Sequence, residues 1–273
     1  TPDLVAALGG RIEAVAGDVT EENLGLDESE HRDLVGRVDR IVHSAADIRL
    51  NAPLEELRRT NVEGVRNVLR FAEEVHAAHG LQRFSHVSTA YVAGRRQGSV
   101  PEERPTDEHG FLSNYEQSKF EGEVLVHEAG DLPVSVFRPG MVVGSTEDGY
   151  VRTFNTLYYP LRLYLTGKMR VIPLSSSQSV NLVPVDRVAE AIGSLTLDPR
   201  AEGRIFHLVG AAESLPTVGE VVELTRAWAK GRLGIRLPRP LYLPQAMVLM
   251  ERGATDELRV VAPYLRERRE FRT

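Results

Sequence analysis

Short apolar runs alternate with longer amphipathic stretches along this chain of 273 residues. Residues 11–16, 38–43, 83–87, 134–137, 181–183 and 204–209 are brief and rich in β-branched side chains, the pattern of buried strands. Residues 53–79 set Leu54, Leu57, Val62, Val65, Val68, Leu69 and Ala72 near a 3.6-residue period, which predicts a long helix with one apolar stripe. Residues 113–128 and 185–197 predict two further helices, the second introduced by Pro184.

Strands separated by helices of this length pair in parallel through right-handed crossovers. The expected fold is therefore α/β, a doubly wound parallel sheet of Rossmann-like type with helices on both faces. Ligands of such sheets gather at the strand carboxyl ends. Asp18 follows the first run, His43-Ser44-Ala45-Ala46 the second, Ser88-Thr89 the third and Arg138-Pro139-Gly140 the fourth, so one crevice is expected to collect them. From residue 151 the pattern changes: Phe154, Leu157, Tyr158, Leu161 and Leu165 share a helix face ahead of a break at Gly167-Lys168. We therefore expect a dinucleotide-binding domain at 1–145 with 178–210, and a smaller substrate-binding cap at 146–177 with 211–273.

The longest apolar run, residues 241–250, is broken by Pro244 and Gln245 and falls short of the roughly 18 residues that span a bilayer, so a buried helix is expected. Residues 251–272 are dense in both charges and predict a solvated helix, whose five arginines after Arg252 also suit an acidic carrier protein. A formal net charge of −6 argues against nucleic acid or an anionic membrane as the main partner. The absence of cysteine removes disulfides and thiolate chemistry and fits a reducing compartment, with the cytoplasm as the expected location. No His-Glu-x-x-His pattern implies a metal, and no Gly-x-Ser-x-Gly elbow implies a serine hydrolase.

Asn114-Tyr115-Glu116-Gln117-Ser118-Lys119, some 26 residues past Ser88-Thr89, carries the most chemistry. Four residues apart on a helix, Lys119 and Tyr115 share a face. An isolated phenol loses its proton near pH ~10, and an adjacent ammonium is expected to draw that value down, making Tyr115 a proton donor to a carbonyl oxygen that gains charge as hydride arrives. The chain has only three lysines, Lys119, Lys168 and Lys230, so chance pairing of Tyr with Lys at this spacing is about one in ten, and the motif gains weight from its neighbours. A glycine-rich turn between a first strand and helix is missing from the pattern: no Gly-x-Gly-x-x-Gly occurs near the start, and residues 1–4 read as the end of a helix. With no initiator methionine, a fragment of a longer reductase is expected.

Gly17-Asp18-Val19, His43-Ser44-Ala45-Ala46, Thr60-Asn61-Val62-Glu63-Gly64, Val87-Ser88-Thr89-Ala90-Tyr91-Val92, Tyr115-x-x-x-Lys119 and Arg138-Pro139-Gly140 together resemble the extended short-chain dehydrogenase/reductase family. The Val-Ser-Thr-Ala-Tyr-Val string resembles its thioester-reducing branch: fatty acyl-CoA reductases and the terminal reductase domains of nonribosomal peptide, polyketide and carboxylic acid reductase enzymes. The resemblance covers roughly residues 11–210. It implies catalytic roles for Thr89, Tyr115 and Lys119, and cofactor contacts from Asp18 and Val19 to adenine, from Ala45 and Ala46 along the ribose–pyrophosphate track, and from Ser44, Ser88, Pro139, Gly140 and Met141 around the pocket. It further implies NADPH rather than NAD, and an acyl thioester substrate carried on coenzyme A or on an acyl or peptidyl carrier protein, reduced to aldehyde or on to alcohol.

Two alternatives stay open at this level. Sugar-nucleotide epimerases or dehydratases and hydroxysteroid-type dehydrogenases share the tyrosine and lysine, and a non-catalytic dinucleotide-binding module shares the scaffold. Asp18 is equally suited to capping the turn that follows it, and Asn61 reads as a buried helix-stabilising amide rather than a catalyst.

Overall fold

A capping box starts the first helix: Asp27 accepts the Ser29 and Glu30 amides at 2.8 and 2.9 Å, and Glu30 reaches back to the Asp27 amide at 3.3 Å. The computed structural model describes residues 11–50, 52–152, 157–242 and 269–271. That capped helix, α1 (Glu28–Arg37), leads into β1 (Arg40–His43), and a continuous helix then runs from α2 (Leu54–Arg58) through a π turn at Arg59–Glu63 into α3 (Gly64–His79). Next come β2 (Arg83–Val87), β3 (Gly98–Val100), α4 (Asn114–His127), β4 (Val134–Pro139) and β5 (Met141–Val143). The remainder comprises α5 (Tyr158–Leu165), β6 (Val171–Ile172), β7 (Leu182–Pro184), α6 (Val185–Leu197), β8 (Ile205–Leu208), α7 (Val218–Leu233), β9 (Leu241–Tyr242) and β10 (Arg269–Phe271).

The main sheet has the order β1-β2-β4-β8, every pair parallel, with His43 opposite His86, Val87 opposite Phe137 and Pro139 opposite Leu208. The strand carboxyl ends are thus level. The apolar stripe of α3 supplies Val65, Leu69, Ala72 and Val75 to a core shared with Phe84 and Val136, each such burial contributing about 1.5–3 kcal/mol for the larger side chains. A second cluster, built by Tyr164, Met169, Ile172, Val218 and Val222, lies under α5 and α7. It also takes in Val180, which falls inside the segment predicted to belong to the dinucleotide-binding domain.

Two strand expectations need correction. Residues 11–16 are exposed and form no strand. Their composition suits a strand, but a strand is held by its ladder, and among the described residues β1 has no partner on its outer edge. The run at 181–183 does become a strand, β7, yet it pairs with β5 in a separate two-stranded sheet. Beyond Pro139 the chain passes through Gly140 into β5, and the place beside β4 is taken by β8. Phe154, residues 243–250 of the helix expected at 241–250, and the charged segment 251–268 lie outside the described residues; Leu241–Tyr242, expected to open that helix, pair in parallel with β6, and Arg269–Phe271, expected to be helical, pair in parallel with β3. No helix among the described residues is long and apolar enough to cross a membrane.

Candidate active site

Level strand ends and one helix start bring the predicted groups together. Ser113 caps α4, accepting the Glu116 amide at 3.2 Å, which puts Tyr115 in the first turn and Lys119 in the second. The π turn in the neighbouring helix is pinned by Asn61, whose amide accepts the Asp47 N–H at 2.8 Å and donates to the Asp47 carbonyl and the Ser118 hydroxyl, both at 2.9 Å. Asn61 is therefore a buried amide that ties the loop after β1 to α4, as its position in the sequence suggested. Gly122 lets the two helices touch: a Cβ there would lie 2.2 Å from the Asn61 carbonyl oxygen.

Thr89, buried just past β2, accepts the Tyr91 amide at 3.3 Å, lies 3.5 Å from the Pro139 carbonyl oxygen and faces the Tyr115 phenol. Tyr115 is half-buried. Burial pushes its phenol up to about 12, with the Thr89 hydrogen bond opposing that rise and the Glu116 charge adding to it. This corrects the expectation that Lys119 draws the phenol down. The Lys119 ammonium turns away to the Val87 carbonyl, 2.9 Å from its Nζ, and burial brings it down to about 8 against the opposing charge of Glu123. Two of its three N–H donors stay available.

Beneath this cluster lie groups to which the sequence reading gave no role. His43 and His86 stack with ring centroids 5.5 Å apart. Burial and the Lys119 charge take His43 down to about 4 and His86 well below its ordinary value, so both are neutral imidazoles at pH 7. Glu123, fully buried, accepts hydrogen bonds from Ser88 and Arg138 and lies 3.3 Å from His127 Nε2. Burial alone would raise its carboxyl; His127, the Arg138 charge and the Ser88 hydroxyl together hold it down to about 2. The signal was there: Glu123 stands one turn beyond Lys119, and His43 and His86 interrupt otherwise apolar strands.

The remaining predicted residues divide. Ser44 and Ala45 are exposed and Ala46 is half-buried, all directly past β1 on the same side of the sheet as Thr89. Ser88 faces Glu123 rather than the crevice. Pro139, Gly140 and Met141 are buried; a Cβ on Gly140 would meet Asn181 Oδ1 at 2.8 Å, so that glycine makes room for an amide of the protein. Met141 packs with Tyr91 and Leu157. Asp18 is exposed and caps its turn, accepting the Thr20 amide and hydroxyl at 2.8 Å each. Val19 sets its side chain against Gly64 and its carbonyl on the Asn67 amide. Both thus have local structural tasks.

Residues 3–192 match the sequence profile of an NAD-binding family described as male sterility protein. A nonribosomal peptide synthetase, asaC, of Aspergillus flavus is 32% identical over 211 residues, spanning 73% of this chain and 20% of that protein. The L-2-aminoadipate reductase of Saccharomyces cerevisiae is 30% identical over 213 residues, 71% of this chain and 15% of that one. Among solved structures, the terminal R domain from the myxalamid PKS-NRPS biosynthetic pathway superposes with a TM-score of 0.76 at 29% identity, covering 95% of this chain and 63% of that domain. The chain spans a fifth or less of the length of these two curated relatives.

Proposed function

Because the chain belongs to this NAD-binding, male sterility protein family, we propose that it is a reductase of acyl thioesters, with Thr89, Tyr115 and Lys119 as its catalytic residues. The observation that carries the reading is the Thr89 hydroxyl acting on the Tyr115 phenol at the level strand ends, with the Lys119 ammonium one turn along. The names of the relatives, a peptide synthetase, an aminoadipate reductase and a terminal R domain, support a thioester held by a carrier protein as substrate. The second hydrophobic cluster, under α5 and α7, supports a cap at 146–177 with 211–273 above the crevice.

The donor set fits a nicotinamide riboside. The two remaining Lys119 N–H groups suit ribose hydroxyls, with Pro139, whose carbonyl faces Thr89, and Ala45–Ala46 beyond β1 at the same strand ends, and NADPH as the proposed form. A bound nicotinamide supplies the hydride. The Thr89 hydroxyl donates to the thioester carbonyl oxygen, and Tyr115 gives that oxygen its proton as it gains charge. The hemithioacetal collapses by breaking its C–S bond and returning the hydroxyl proton, so one thioester, one hydride and one proton yield an aldehyde and a thiol. A phenol held at about 12 stays protonated until the developing oxyanion claims the proton, which suits a donor rather than a base.

Tyr115→Phe tests the assignment. Expected are a loss of aldehyde formation of about 10²–10⁴-fold, unchanged circular dichroism and nearly unchanged dinucleotide affinity, assayed with carrier-bound and coenzyme A thioesters and with a nucleotide sugar. Turnover of the sugar alone, or full thioester turnover by the variant, overturns the reading.

A further inference from the structure

One buried carboxylate ties α4 to the ends of β2 and β4. Glu123 lies one turn beyond Lys119 on α4, takes a hydrogen bond from Ser88, and is gripped by Arg138 through Nε at 3.1 Å and through Nη2. Ser88 stands between Val87, whose carbonyl holds Lys119, and Thr89, which holds Tyr115. Arg138 precedes Pro139, whose carbonyl faces the Thr89 hydroxyl, and its other contact, at 2.9 Å, is to the Glu103 carbonyl. We propose that Glu123 is a positioning residue for the reaction: it locks the ends of β2 and β4 against the helix turn that bears Lys119, and supplies the counter-charge of that ammonium. The catalytic consequence rests on the reductase reading; the electrostatic one does not.

The charged and titratable groups around Lys119 are few. Glu123 acts on it from its own helix, which also carries Tyr115 one turn back and the buried Glu116, whose charge acts on Tyr115; His43 faces it from β1 and His86 from β2. Arg138 of β4 and His127 of α4 face Glu123, and His127 also faces His86. Both strand imidazoles are neutral, so the opposing charge on Lys119 comes from Glu123, one helical turn along α4, while the Val87 carbonyl holds the ammonium directly.

With three lysines in the chain, lysine labelled with ¹³C at Cε gives few enough signals to follow Lys119 directly by NMR titration. The unaltered protein is expected to show a Lys119 midpoint of about 8. In Glu123→Gln that midpoint falls by about one pH unit or more, and the alkaline limb of kcat falls with it. In Glu123→Asp the charge remains and the lysine titrates within a few tenths of the parent, while kcat stays below the parent because the shorter arm no longer spans Ser88 and Arg138. Should the unpaired Arg138 prevent folding of Glu123→Gln, the pair Glu123→Gln with Arg138→Met is compared with Arg138→Met alone, and the fall in the Lys119 midpoint between those two isolates the Glu123 charge. An unmoved midpoint in a folded variant, or a uniform drop in kcat with an unmoved alkaline limb, overturns the proposal. The titration needs no substrate, so it stands if only the thioester assignment fails.

Discussion

Single buried side chains set the acid limit of this protein. His43 ordinarily titrates at 6.5 and is held down to about 4, and His86 is likewise held well below its ordinary value, both first by burial. Between those values the unfolded chain binds protons that the native one refuses, so the stabilisation is complete above pH 6.5 and is lost as pH falls through about 4; for His43 the shift corresponds to about 3 kcal/mol. Glu123 continues the trend lower down, because a carboxyl ordinarily at 4.5 and held at about 2 stabilises the fold above 4.5 and ceases to do so as pH drops through 2. Urea melts at pH 7.5, 5.5 and 4 are therefore expected to show falling stability, with a shallower fall in His86→Phe; a flat profile between pH 7 and 4.5 would refute this account. Tyr115, Thr89 and Lys119 were legible in the sequence because motif spacing places them, whereas the direction of the Tyr115 shift was not. Helical spacing says that Lys119 shares a face with the phenol, but only the fold shows its ammonium committed to the Val87 carbonyl.

At the scale of elements, the contact between α4 and the helix at 54–79 decides whether Tyr115 and Lys119 reach the strand ends. Glycine inside a helix normally destabilises it by about 0.5–1 kcal/mol relative to alanine, and Gly193 in α6 and Gly231 in α7, with nothing within 4 Å of an added Cβ, are expected to gain roughly that much on replacement by alanine. Gly122→Ala is expected to do the opposite. Its methyl would sit 2.2 Å from the Asn61 carbonyl oxygen, which is backbone and cannot swing aside, so a net loss of about 1–3 kcal/mol follows. Denaturant midpoints of the three variants check this: a Gly122→Ala chain as stable as Gly193→Ala would remove the close approach from the argument. The helices were readable because their apolar periods are long, and Val185–Leu197 forms where Pro184 and that period placed it. The π turn at Arg59–Glu63 was not readable, since the amide that pins it answers to Asp47 and Ser118, which only tertiary structure brings near.

Across the whole molecule, the parallel sheet was predictable from alternation alone, but strand order was not, and order explains the failed strand at 11–16. Alternation counts the runs that suit a strand; a ladder needs a neighbour on the correct edge, and the described residues put none beyond β1.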